Sequence, residues 1–97
     1  MEKGPERAGA YGHAFLAGGG EMGQLIRAMD WGATPLGPVE SWPQSLRSAV
    51  SILLPSKAQI CLCWGPELIV LYNDAYRPVF GAKHPHVLGR PIRDAWS

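Results

Sequence analysis

The sequence predicts a small α+β fold, on three observations. Apolar residues recur at helical spacing in two stretches, at Met22, Leu25, Ile26 and Met29 and again from Trp42 to Leu54. Two runs rich in β-formers, Gln59 to Trp64 and Leu68 to Tyr72, flank the turn-forming triplet Gly65-Pro66-Glu67. Finally, 97 residues that are 46% apolar and 18% charged suffice for one globular domain at most.

Residues 1 to 20 mix charge, Ala and Gly and end in Gly18-Gly19-Gly20, which reads as a flexible leader. Half of the twelve glycines fall in this stretch, so any core is expected to come from the residues after it. From Glu21 to about Asp30 the stripe of Met22, Leu25, Ile26 and Met29 predicts a short amphipathic helix. Gly32, Pro35, Gly37 and Pro38 then impose a turn-rich connection.

A second helix is predicted from Ser41 to Leu54. Ser41 is its expected N-cap and Pro43 sits in its first turn, with Trp42, Leu46, Ala49, Val50, Leu53 and Leu54 on one apolar face. Pro55 ends it. The two β-runs follow as an antiparallel hairpin, and their nearly unbroken apolar character predicts cover on more than one side. Asn73 is placed as the cap of a third, short helix from Asp74 to about Phe80, with Gly81 closing it. After His84-Pro85-His86, the segment Val87 to Trp96 reads as the start of another helical turn.

The charge balance is close: nine Lys and Arg against eight Asp and Glu leave a net +1, which argues against a general nucleic-acid surface. No apolar run approaches the about 20 residues of a membrane span, so no membrane insertion is expected. The opening Met-Glu-Lys-Gly-Pro lacks the pattern of a secretory signal. Cys61 and Cys63 share one face of the first strand, too near in sequence for an unstrained disulfide, and read as buried reduced thiols of a cytoplasmic protein. One C-x-C pair does not make up a metal site, and the single His-x-His of His84 and His86 reads as exposed loop polarity. Arg77, Lys83, Arg90 and Arg93 form a basic stretch, read as a solvated face. No nucleophile elbow, phosphate-binding loop or kinase catalytic motif is present, so no catalytic residue is assigned and the chain is expected to be non-enzymatic on its own.

Leu68-Ile-Val-Leu-Tyr-Asn-Asp-Ala-Tyr, then Phe80-Gly81, then Leu88-Gly-Arg-Pro-Ile-Arg-Asp-Ala-Trp resembles the first half of a PAS sensor domain. Glu21 to Trp42, with Met-Gly-x-Leu-Ile-Arg, Asp-Trp and Thr-Pro-Leu-Gly, followed by Trp-Pro-Gln-Ser-Leu, is similar to the extension preceding PAS domains of bacterial hybrid sensor histidine kinases. The resemblance covers about residues 20 to 97 and implies a leader (1–20), an N-terminal helical extension (21–58) and the first half of a PAS-like domain (59–97). It implies a partial PAS-like fold whose later sheet strands are missing from this chain, left either to a longer parent or to a second copy.

The function implied is that of an input module of a two-component histidine kinase, acting through homodimer contacts and through the C-terminal remainder of the parent. A small-molecule or cofactor sensor is the alternative, and a stand-alone interaction scaffold the second. No cofactor is evident. For the sensor reading, an apolar pocket would be lined by Cys61, Cys63, Ile69, Leu71, Tyr76 and Phe80. For the interface, Trp31, Leu25, Met29 and Trp96 are the expected contacts, whereas Trp42 and Trp64 are expected to be buried. At the strand-to-helix joint of Tyr72, Asn73 and Asp74, local capping is favoured over ligand binding.

Overall fold

The computed structural model describes residues 18–96. These residues form a mixed arrangement of short helices around one antiparallel hairpin, in agreement with the α+β expectation. The leader over residues 1–17 lies outside the described residues.

Helix α1 spans Gly20–Ala28 and buries Met22 and Ile26. It starts one residue earlier than the periodicity predicts, because Gly19 and Gly20 take left-handed φ values of 80° and 60° and turn the chain into the helix. A 3₁₀ turn at Trp31–Ala33 and another at Val39–Ser41 carry the Gly- and Pro-rich connection. Helix α2 spans Gln44–Leu53 and buries Leu46, Val50 and Leu53. Ser41 does not cap it. The Ser41 hydroxyl donates to the Pro38 carbonyl at 2.8 Å, and the N-cap position falls to Pro43, whose fixed φ suits a helix entry. Trp42 therefore lies before the helix, where it is buried as expected.

Strands β1 (Cys61–Trp64) and β2 (Ile69–Tyr72) pair antiparallel, with Cys61 opposite Tyr72 and Cys63 opposite Val70. Their connection takes in Leu68 as well as Gly65-Pro66-Glu67, with Leu68 at φ 55° and exposed. Every side chain of β2 is buried, whereas β1 is only half-buried and Cys63 is exposed. Cover on more than one side thus holds for β2 and fails for β1.

The reason is the neighbour on the far edge of β2. Gly89 donates to the Val70 carbonyl at 2.9 Å, Val70 to Arg90 at 3.0 Å and Ile92 to Leu68 at 2.9 Å, with a bridge between Ile69 and Pro91. Residues 89–92 therefore run along β2 as a turn segment held by these bonds and by the single bridge at Pro91, and Arg93–Trp96 forms a helical turn, α4. Gly89 is required there, because a Cβ at its φ of 79° would crowd the Met29 methyl and the Trp31 ring. On the other side, Asn73 donates to the Ile60 carbonyl, which fixes the ladder phase so that Leu62 and Trp64 bond toward β2. Cys61 and Cys63 consequently turn their backbone N–H and C=O groups to the outer edge of β1, against which no described segment is hydrogen-bonded.

After β2, a 3₁₀ turn at Asp74–Tyr76 runs into the single-turn helix α3, Arg77–Phe80, and a further turn at Gly81–Lys83. Pro78 lies at the start of α3 and so is compatible with it. The core joins α1, α2, β2 and the segment around Val87 and Leu88 in one cluster. Trp31 and Trp42 meet edge-to-face within it, their ring centres 5.2 Å apart. No helix among the described residues is long and apolar enough to cross a membrane.

Candidate functional site

The strand-to-helix joint at Tyr72, Asn73 and Asp74 is where three separate stretches of chain are fastened together. Asn73 is fully buried, and all of its amide capacity is used. Its Nδ2 donates to the carbonyls of Leu53 (2.9 Å), Ser56 (3.3 Å) and Ala58 (2.8 Å), closing the loop after α2. Its Oδ1 accepts from Ile60 N–H at 3.3 Å and Tyr76 N–H at 3.1 Å, the latter being the expected cap of the following turn. Capping is thus observed, and it is one part of a larger staple.

Asp74 performs the same service for α1. Its carboxylate accepts the backbone N–H of Glu21 at 3.1 Å and of Met22 at 2.8 Å, two of the N-terminal donors that a helix cannot satisfy internally. The close approach requires glycine at position 20, since a Cβ there would overlap the Asp74 carboxylate. Gly19 and Gly20 are accordingly part of this seat and not of a loose leader. Arg27 adds a hydrogen bond back to the Gly18 carbonyl at 2.9 Å.

A polar chain runs from the core to the surface beside this seat. The Tyr72 hydroxyl lies 2.6 Å from His84 Nδ1, and His84 Nε2 lies 3.3 Å from a Glu21 carboxylate oxygen. The tautomer that satisfies both partners carries its proton on Nε2, so that Tyr72 donates to Nδ1 and Nε2–H donates to Glu21. Glu21 also pairs with Arg77 at 3.0 Å, and Arg77 lies 3.8 Å from Asp74. These ion pairs are half exposed and worth little singly, but they tie α1, β2 and α3 into one network. Burial, with smaller contributions from Cys61 and Glu21 against an opposing one from Arg77, pushes the Tyr72 phenol up to about 12. His84 is therefore not an exposed loop residue: its side chain is 13% exposed and engaged at both nitrogens.

Two clefts open to solvent flank the Asp74 carboxylate. One of about 390 Å³ is lined by Gly19, Gly20, Leu54, Lys57 and Asp74; the other, about 380 Å³, by Asp74, Arg77, Pro78, Gly81 and His84.

The six residues expected to line an apolar pocket are not brought together. The register places Cys61 and Cys63 on the face shared with Val70 and Tyr72, so Ile69 and Leu71 point to the opposite face. Counting alternation within each strand places residues on faces only when the cross-strand partner is known, and here the partners differ in parity. Ile69 and Leu71 are fully buried core residues, and Phe80 packs edge-to-face on Tyr72 and Tyr76. Cys61 is half-buried and Cys63 exposed, which corrects the expectation of two buried thiols.

Among the expected interface residues, Trp31 is corrected outright. It is 2% exposed and its indole N–H donates to the Ile26 carbonyl at 2.8 Å, so it locks α1 to the core and offers no outer surface. Leu25 and Met29 are half-buried and pack on the core rim. The side chain of Trp96 lies outside the described residues. In the basic stretch, Arg77 pairs with Glu21, Arg90 with Asp94 at 3.1 Å, and Lys83 hydrogen-bonds the Ala95 carbonyl. Among the described residues, no group of three or more His, Cys, Asp or Glu is placed to hold a metal ion. Sequence reasoning missed Glu21 and the long-range role of Asp74, because neither carries a local signal for a partner more than fifty residues away.

No family model matches the chain, and neither a curated protein nor a solved structure matches it.

Proposed function

We propose that this chain is the N-terminal part of a PAS-type input module of a two-component histidine kinase, cytoplasmic, non-enzymatic by itself and acting through contacts between two copies. The observation that carries the reading is the anchoring of α1 on the strand-to-helix joint by Asp74, Glu21, Arg77 and His84. A helix held by its terminus on the joint transmits a displacement of the joint as a change in its own docking. The outer edge of β1, with the outward groups of Cys61 and Cys63, supports the reading further, since such an edge is a site for additional strands.

The test is to fuse the chain ahead of a dimeric histidine-kinase core and compare autophosphorylation of wild type and Asp74→Ala, with oligomeric state measured by sedimentation. A several-fold change in rate with the dimer retained is the expected result. An unchanged rate would sink the coupling, and an isolated chain that stays monomeric at high concentration would sink the contact between copies.

A further inference from the structure

We propose that the Cys61 and Cys63 thiols, a pair that the sequence alone reads as too few ligands for a metal site, form a two-coordinate site for one soft monovalent cation, copper(I). Both side chains project from the same face of β1, with Cys63 exposed and Cys61 half-buried behind it. Two positions apart on one face of a strand held in register by β2, they are nearest same-face neighbours along β1.

Strand geometry decides between the two bonds such a pair can make. Alternate residues of a strand lie about 6.6 to 6.8 Å apart. A disulfide draws its Cβ atoms to about 3.8 Å and its sulfurs to about 2.05 Å, which a strand held in register by β2 cannot provide without bending. A metal between the sulfurs asks for less: two bonds of about 2.3 Å span about 4.6 Å between sulfurs. The side chains need only lean toward each other.

The donor set then selects the cation. Zinc takes four ligands in its structural sites, and no group of three or more His, Cys, Asp or Glu is assembled for a metal among the described residues. Copper(I) is stable with two thiolates, and soft sulfur donors favour it over harder divalent ions. Val70 and Tyr72 lie across the strand from the two cysteines. Binding forms two S–Cu bonds, displaces the thiol protons to solvent and leaves copper in the same oxidation state. The site lies opposite Tyr72 of the polar chain but shares no ligand with the α1 anchor, and it does not rest on the proposed signalling role.

The experiment is an anaerobic titration of the reduced, metal-free chain with copper(I) against bicinchoninate, a chromophoric copper(I) chelator, with stoichiometry read by native mass spectrometry. One copper retained per chain, with both thiols protected from a disulfide reagent, is expected. Cys63→Ser changes an exposed residue, so it should fold normally, checked by circular dichroism, and should bind copper at least tenfold more weakly. Copper left on the chelator, one copper per two chains, equal retention by C63S, or equally tight retention of zinc(II) supplied alone would each overturn the site.

Discussion

Asp74 and Met22, 52 residues apart, are joined by a 2.8 Å hydrogen bond from the first turn of α1 to the carboxylate that opens the helical segment after β2. Together with the bond from Glu21 N–H, it makes Asp74 a helix cap supplied from a distant part of the chain. Replacing a cap typically costs about 0.5 to 2 kcal/mol. Asp74→Ala should therefore lower stability by about that amount in denaturant titrations, with the loss concentrated in α1. Gly20→Ala should destabilise as well, through its φ of 60° and the overlap of the new methyl with Asp74. A Gly20→Ala chain as stable as wild type would contradict the seat.

Asn73 is the most heavily bonded side chain at the joint, and its substitution should be the more damaging. Asn73→Ala removes the side-chain partner of three carbonyls and two amides. Tyr76 N–H keeps the Asn73 main-chain carbonyl and the Leu53 carbonyl keeps Ser56 N–H, which leaves the Ser56 and Ala58 carbonyls and Ile60 N–H to find new partners, at about 1 to 3 kcal/mol for each group left unsatisfied. The chain should lose several kcal/mol and its cooperative unfolding. Asn73→Asp should fare no better at neutral pH, because a carboxylate cannot donate to Leu53, Ser56 and Ala58. Recovery of stability in Asn73→Asp would show that the acceptor half of the amide suffices.

The raised Tyr72 phenol gives a signed pH dependence. Its ordinary value of 10.0 moves to about 12, so between those values the folded chain keeps a proton that the unfolded chain gives up. Stability present below pH 10 is then lost as pH rises toward 12, at up to about 1.4 kcal/mol per pH unit for a single group. Cys61, pushed by burial and by Cys63 from 9.0 to about 12, adds a loss of the same sign that begins near pH 9. Tyr72→Phe should flatten the fall above pH 10 and cost about 1 kcal/mol at neutral pH through the lost bond to His84. An identical slope in Tyr72→Phe would rule out the phenol as its source.

Trp31 should behave as a core residue. Trp31→Ala removes a buried indole, its edge-to-face contact with Trp42 and its bond to Ile26, and should cost about 3 to 5 kcal/mol by thermal or chemical unfolding. A loss of self-association with stability intact would return Trp31 to the surface.

The parts of the fold legible in the sequence are those set by neighbours along the chain. The helical stripe through Met22 and Ile26, the β-formers around Gly65-Pro66-Glu67 and the Asn73 cap all depend on residues within a few positions. What was not legible depends on distant partners. Gly18-Gly19-Gly20 reads as slack until Asp74 is seen to need the space, and Trp31 reads as a loop aromatic until the Ile26 carbonyl claims its N–H. Cys61 and Ile69 share a face on paper, but the Cys61 to Tyr72 register separates them. Residues 89–92 carry Gly and Pro and give no strand signal, yet they close the edge of β2 through backbone bonds that leave no side-chain pattern to read.

Hydrogen exchange along α1 tests the anchoring most directly. With Asp74 in place, the amides of Met22 and Ile26 should be protected nearly as strongly as those of β2, and in Asp74→Ala they should exchange by local opening while β2 stays protected. Alpha-helical amides that exchange freely in the wild-type chain, or α1 protection unchanged by Asp74→Ala, would contradict a helix held at the joint.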